Sequence, residues 1–485
     1  MYRILFAASE AYPLVKTGGL GDVMGSLPAA LAALDCDVRL VLPGYHDVLE
    51  SVVAPIIKAE FTIPETGHPV RLLETTLPGS DVVAWLVDCP SLYGRGGDPY
   101  NDEHNIPWPD TAQRFALLCR AVHAISLGIV ETGWLPQIVH CNDWQTGLIP
   151  ALLSQSADRP ATVFTIHNLA YQGVFPYDTF VDLKLPEYLW SPDGLEFYEH
   201  LSFIKGGLIF SDRITTVSPT YAREIQSAEF GAGLDGLLHQ RSEKISGILN
   251  GIDEQVWDPA HDEFIFAHYD ADNIDRKAEN KQSLQKILGL QEKSDKPLIA
   301  FVHRLTDQKG VDLVIGALPE LAKLPVQLAI LGTGNPNYER QLVDFAEQQV
   351  CDIAVRIGYS EPLSHQMAAG ADFFLMPSRF EPCGLAQIHN MRYGTIPIVR
   401  SVGGLADTVT DTNPQTIAAG TATGIVIDGV DTEALVAAIR RALEIYHQPY
   451  VWSDLLRSAM RGSYSWRDSV DKYLGLYQSL LASRR

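Results

Sequence analysis

Cysteine is sparse and scattered in this chain. Cys36, Cys89, Cys119, Cys141, Cys351 and Cys383 form no close-spaced pair. That pattern suits a reducing compartment better than a disulfide framework or a zinc site. Long apolar runs are missing too. No window of about 18 continuous apolar residues occurs, so no transmembrane helix is expected. The apolar start at Ile4–Ala8 is too short for a secretion signal, and Glu10 and Pro13 follow at once. A cytoplasmic location is the expectation. Basic residues are in deficit, with 37 Lys and Arg against 59 Asp and Glu, a formal charge of −22. Such a field argues against general binding to nucleic acid or anionic membranes. An anionic small substrate would need a local basic cluster set against it. Neither the dinucleotide G-x-G-x-x-G nor the P-loop spacing follows the first strand, which counts against a nicotinamide oxidoreductase.

What is present is alternation. The 485 residues are 46% apolar, enough for two large α/β domains. Short apolar runs read as buried parallel strands at Arg3–Ser9, Asp37–Pro43, Gln137–Cys141, Ala161–Ile166, Ser211–Val217 and Ile245–Leu249. The alternation restarts with Leu298–Val302, Val326–Leu331, Val355–Gly358, Asp372–Pro377, Ile396–Val399 and Gly424–Asp428. Helical spacing fills much of the intervals, although Pro28 is expected to kink the first helix or delay its start. The reading is α/β, with two doubly wound Rossmann-like domains. The expected bounds are 1–255 and 256–460, with a helical tail at 461–485 packing back on the N-terminal domain.

The stretch Ser378-Arg379-Phe380-Glu381-Pro382-Cys383-Gly384-Leu385 leaves a buried strand and enters a helix. In open α/β sheets ligands bind at that carboxyl edge. Backbone N–H groups of Gly384 and Leu385 could meet an anion or a sugar oxygen there, while Glu381 also reads as a helix cap. Arg304 and Lys309 flank another strand–helix turn, where two cations and a helix start suit a diphosphate. Near the N-terminus, Lys16-Thr17-Gly18-Gly19-Leu20-Gly21-Asp22-Val23 is a glycine-rich turn that could approach a phosphate or simply make a tight connection. Asn142-Asp143 and His167-Asn168 are polar tips on strands of the same sheet. Residues 90–110 read as a long loop carrying Tyr93, Tyr100 and Trp108. Gly403-Gly404 reads as a second close-approach glycine turn. The D-x-D pairs Asp35/Asp37 and Asp270/Asp272 read as solvated or capping groups rather than metal ligands.

Taken in order, these motifs resemble those of bacterial glycogen synthases and plant starch synthases. The carriers are the Lys16–Val23 turn, Asn142-Asp143-Trp144-Gln145, Thr165–Gly173, Asn250-Gly251-Ile252-Asp253, Arg304–Gly310 and Ser378–Leu385, which span nearly the whole chain. The resemblance implies a GT-B fold, with the two domains facing across a cleft and closing over the donor. It implies glucose transfer from ADP-glucose to the nonreducing end of an α-1,4-glucan such as glycogen or a malto-oligosaccharide, with retention and with neither metal nor cofactor. Arg304 and Lys309 would hold the donor diphosphate. Lys16, Gly18, Gly19 and Asp22 would contact glucose and phosphate. Tyr359 would stack on adenine. His167, Asn250, Cys383, Gly384 and Leu385 would position glucose, Glu381 and Asp143 would line the reaction centre, and Tyr93 would help bind donor or acceptor. The chain departs from the family pattern at Gly21, Asn142, His303 and Ala386, and His389 stands where related families carry a second Glu. A UDP-glucose donor, another acceptor, and a noncatalytic glucan-binding scaffold stay open on these residues.

Overall fold

The computed structural model describes residues 1–348 and 352–484. Cys351 lies outside the described residues; the five other cysteines are buried free thiols. No helix among the described residues is long and apolar enough to cross a membrane. The chain forms two compact units, residues 1–251 with 466–484 and residues 252–465.

The first unit is built on a nine-stranded sheet. Its strands are β1 (Arg3–Ala7), β2 (Asp37–Pro43), β3 (Ile56–Thr62), β4 (Pro69–Thr76), β5 (Val83–Asp88), β6 (Ile138–Asn142), β7 (Ala161–Ile166), β11 (Arg213–Thr216) and β12 (Ile245–Gly247), and β8 (Val174–Pro176), β9 (Glu196–Phe197) and β10 (His200–Ser202) form a small antiparallel sheet beside it. The main order is β12-β11-β7-β6-β1-β2-β5-β4-β3. Seven of these strands run parallel; only β4 and β3 are antiparallel. Every residue of β6 and β7 is buried, as a strand covered on both faces requires. The sheet reverses its winding between β1 and β6, so the loops after those strands share one crevice at the carboxyl edge.

The sequence reading lacked β3, β4 and β5. Exposure explains this for β3, an edge strand with Ile56 65% and Ile57 54% exposed; β5 is buried beyond Val83, and its apolar run Val83–Val87 was a strand signal in the sequence. The first helix is Gly19–Ala32 and carries Pro28 inside it, so the proline does not delay its start. At the C-terminus the helix Arg467–Ala482 buries Val470, Tyr473, Tyr477 and Leu480 in the core of this unit. The Tyr477 hydroxyl meets Nδ1 of buried His140 at 2.7 Å.

The second unit has six parallel strands: β13 (Leu298–Val302), β14 (Gln327–Gly332), β15 (Asp352–Ile357), β16 (Phe373–Met376), β17 (Ile396–Arg400) and β18 (Ile425–Ile427). Their order, β15-β14-β13-β16-β17-β18, is that of a doubly wound nucleotide-binding sheet. Its switch point lies between β13 and β16. His303, just past β13, is buried and spans to β16 through Nε2 and the Leu375 carbonyl at 3.1 Å. Two glycines allow the loops above to close together. Gly310 has φ +68°, and a Cβ there would lie 2.4 Å from the Pro377 carbonyl oxygen. Gly403 has φ +45°, and its Cβ would lie 1.9 Å from the Glu381 carbonyl oxygen. The close approach anticipated at Gly403-Gly404 is therefore to the chain's own backbone.

Gly403→Ala combines a left-handed backbone with a backbone clash, so it should cost about 2 kcal/mol or more. A thermal-shift comparison should show a midpoint several degrees lower; an unchanged midpoint would mean the loops are not packed as described.

Candidate active site

In the second unit the switch point carries charge. Lys309 ends a short 3-10 turn, Asp307–Lys309, before the helix Val311–Leu321. Its Nζ lies 2.5 Å from Oε2 of Glu381, with the two side chains 14% and 7% exposed. The Ser378 hydroxyl donates to the same carboxylate oxygen at 3.0 Å. The two loops are laced by backbone and side-chain bonds. Arg379 N donates to the Gln308 carbonyl at 2.8 Å, and the Arg379 guanidinium donates to the Asp307 carbonyl and grips Asp312 at 2.6 Å. Arg304 is exposed in the first of these loops. Cys383 is buried, and the amide of Gln387 donates to the carbonyls of Cys383 and Gly384 at 3.1 and 2.7 Å, holding the turn that leads to the helix Ala386–Arg392. Leu385 is the residue that precedes this helix. Tyr359, just past β15, is 71% exposed at the same edge of the sheet. Within this unit Arg304, Lys309, Tyr359, Glu381, Cys383, Gly384 and Leu385 thus follow the carboxyl ends of β13, β15 and β16. His389 instead stacks on Trp257 with ring centroids 3.9 Å apart.

In the first unit the crevice between β1 and β6 holds two carboxylates. Glu10 is 2% exposed and accepts from Thr17 N at 2.5 Å, Thr17 Oγ1 at 2.8 Å and Gly18 N at 3.2 Å. The Tyr100 hydroxyl donates to it at 2.5 Å and accepts from Gln145 at 2.9 Å. Glu10 is therefore the anchor of the glycine-rich turn, and the long loop supplies its fourth donor. Motif spacing did not reveal either residue; an acid six positions before the turn was the available signal. Lys16 pairs with Asp22 at 2.7 Å, each about a quarter exposed. A Cβ on Gly21 would lie 3.1 Å from the Cβ and Cγ of Lys16, so the glycine gives the lysine stem its room.

Asp143 follows β6 with φ +57° and ψ 179°, a strained conformation for a residue with a side chain. Oδ1 accepts from the backbone N–H of His167 at 2.7 Å and of Asn168 at 3.3 Å. Burial raises its carboxyl to about 7, against the pull of those two N–H groups. His167, past β7, meets the Asn142 amide oxygen through Nε2 at 3.0 Å, and burial holds its pKa down to about 3. Asn250 is 7% exposed, and its amide oxygen meets no hydrogen-bond partner among the described residues. A buried acceptor of that kind is costly unless a ligand or water meets it. Tyr93 behaves differently. It is 1% exposed, its hydroxyl donates to the Arg114 carbonyl at 2.5 Å, and its ring packs edge-on against Tyr45. Tyr93 is a core residue of its unit and presents no surface to donor or acceptor.

The D-x-D pairs hold the fold. Asp37 accepts from the Trp134 indole at 2.6 Å, and Asp270 caps the N–H groups of Asp272 and Asn273 at 2.8 Å. Two cavities, of about 660 and 630 Å³, lie away from the loops described. The first is lined by Tyr198, Lys205 and Arg241, the second by Lys277, Lys281 and Trp452. Their buried lysines are committed: Lys205 donates to the Pro192 carbonyl at 2.6 Å, Lys277 to the Ala369 carbonyl at 2.8 Å, and Lys281 pairs with Asp372 at 2.7 Å.

Comparison with known proteins agrees with this geometry. A profile described as the starch synthase catalytic domain matches residues 3–240, and one described as glycosyl transferases group 1 matches residues 285–454. Glycogen synthase 1 of Methylococcus capsulatus is 52% identical over 480 residues, covering 99% of this chain and 97% of that protein. The chain belongs to the glycogen and starch synthase family of glycosyltransferases. The glycogen synthase of Thioalkalivibrio sulfidiphilus is 50% identical, over 99% of this chain and 100% of its own. Among solved structures, the catalytic domain of starch synthase IV from Arabidopsis thaliana, bound to ADP and acarbose, superposes with a TM-score of 0.89 at 32% identity, covering 99% of both chains. The fold is GT-B, and the chain is a glycosyltransferase of glycogen synthesis.

Stability should fall on the acid side of neutrality. His140, His167 and His303 are each held by burial to about 3, with His167 adding to the effect on His140 and Lys309 to that on His303. Below about pH 6.5 the unfolded chain binds protons that these folded imidazoles refuse, at up to about 1.4 kcal/mol per pH unit for each. Asp143 acts in the opposite sense. Its carboxyl is raised, so its contribution is present at low pH and lost as pH rises through about 7. Three imidazoles outweigh one carboxyl, so the thermal midpoint should drop between pH 7 and pH 5. A level or rising midpoint would mean that these imidazoles titrate as in solution.

Proposed function

We propose that the chain is a retaining glucosyltransferase that moves glucose from ADP-glucose to the nonreducing 4-hydroxyl of an α-1,4-glucan, without metal or cofactor. The observation that carries the reading is the partly buried Lys309–Glu381 pair at the switch point of the second unit, in the loop that also carries Arg304. A starch synthase with the same fold and 32% identity has been solved with ADP and acarbose, which supports a nucleoside-diphosphate donor and a glucan acceptor.

The chemistry follows from charge. Breaking the bond between the anomeric carbon and the phosphate oxygen leaves both electrons on the diphosphate and positive charge on the sugar. Arg304, Lys309 and the N–H groups around Gly384 and Leu385 stabilise the departing anion. The acceptor oxygen bonds to the anomeric carbon on the face the diphosphate leaves, and its proton passes to the departing phosphate oxygen. Retention follows. Glu381 shields the oxocarbenium-like centre and orients Lys309. In the first unit the Lys16–Asp22 turn contacts glucose and phosphate, while His167, Asn250 and Asp143 position hydroxyls. With Oδ1 of Asp143 held by two N–H groups, Oδ2 is the oxygen that meets a ligand. Tyr359 offers an exposed ring for the adenine.

Labelled glucose should enter glycogen from ADP-glucose in the presence of EDTA. Lys309→Ala should lower the rate on the order of 10²-fold or more, as loss of one charge-stabilising donor does. Preference for UDP-glucose would overturn the donor assignment, and no incorporation from either would overturn the reaction. A glucosyl adduct trapped on Asp143 or Glu381 would overturn the same-face step.

A further inference from the structure

We propose that Asn142 is a positioning residue that fixes His167 as a hydrogen-bond acceptor toward the sugar. The inference deepens the proposed function, resting on His167 as a group that meets the donor glucose. Asn142 is the last residue of β6 and is 1% exposed. Its Nδ2 lies 3.2 Å from the Ala7 carbonyl and 3.1 Å from the His140 carbonyl. Both of those groups only accept, so the amide nitrogen must face them and the amide oxygen must face His167. That oxygen lies 3.0 Å from Nε2 and cannot donate. Nε2 therefore carries the proton, and a neutral imidazole then has its lone pair on Nδ1.

Neighbouring groups hold the same arrangement. Asp143 fixes the backbone of His167 through Oδ1 at 2.7 Å. Consecutive residues at the end of β6 thus set both the position and the tautomer of one residue past β7. The titratable groups that bear on it are Asp143, buried His140 on β6, and Glu10, whose charge acts on Asp143. An imidazole in place of Asn142 could donate or accept, and would leave the tautomer undetermined; the amide, committed to two carbonyls, does not. The consequence for recognition is that Nδ1 accepts from a sugar O–H, and a donor lacking that hydroxyl leaves the lone pair unmet.

Nitrogen NMR of histidine-labelled protein at pH 7, with His167 assigned by His167→Gln, tests this directly. Wild type should show a neutral ring protonated at Nε2. Asn142→Leu should show mixed tautomers and a kcat about tenfold lower. Asn142→Asp places a carboxylate against Nε2; it should raise the His167 pKa and add an acid limb to the pH–rate profile that wild type lacks. Deoxy or fluoro donor analogues should show one position whose penalty in wild type vanishes in His167→Ala. A wild-type ring protonated at Nδ1, or doubly protonated at pH 7, would overturn the proposal. So would an Asn142→Leu protein that keeps the Nε2 tautomer and full kcat. The spectra need no substrate, so a failure of the proposed transfer and a failure of this inference read out separately.

Discussion

Lys309 and Glu381 lie 2.5 Å apart at the place where the second sheet reverses its winding. The rest of that unit is arranged to allow this contact. β13 and β16 are adjacent, so their following loops meet. Gly310 lets one loop press on the Pro377 carbonyl, and Gly403 lets a third turn press on the Glu381 carbonyl. Removing two charges from water is costly unless each is met, and here the carboxylate meets an ammonium and the Ser378 hydroxyl. The ammonium keeps further donors, and these are what a diphosphate can use. A pair of this kind holds a cation in place before the ligand arrives, which is the preorganisation that electrostatic catalysis depends on.

The first unit uses carboxylates in two ways. Glu10 accepts from two backbone N–H groups, a threonine and a tyrosine hydroxyl, and so gives the glycine-rich turn its shape. Asp143 is held by two N–H groups on one oxygen and kept largely out of water, so its carboxyl titrates near neutrality. A carboxylate met by four donors is a structural anchor at Glu10, whereas the two N–H groups on Asp143 engage only Oδ1. The strained backbone at Asp143 persists because the surrounding structure fixes it.

Much of this was legible in the sequence. Buried parallel strands leave continuous apolar runs, and the turns after them carry glycine, charge and polar tips, so β1, β6, β7, β13 and β16 and their loops could be read directly. The edge strand β3 and its neighbour β4 could not, since exposed positions interrupt their apolar runs. Residue types also hide commitments. Tyr93 looked available in a loop-like stretch, yet its hydroxyl is taken by a backbone carbonyl in the core. Glu10 carries no motif, and only the fold brings Tyr100, ninety positions away, to its carboxylate. The tautomer of His167 needs distances, which residue types do not carry.

In the proposed reaction Lys309, held by Glu381, receives the donor diphosphate. Calorimetric titration of ADP into wild type, Lys309→Met and Glu381→Gln tests it most directly. Loss of the cation should weaken ADP binding tenfold or more, at least about 1.4 kcal/mol. Loss of the carboxylate charge should leave ADP bound at least as tightly, since the ammonium is then released to the phosphate. Equal affinity in all three proteins would contradict the account and place the diphosphate elsewhere.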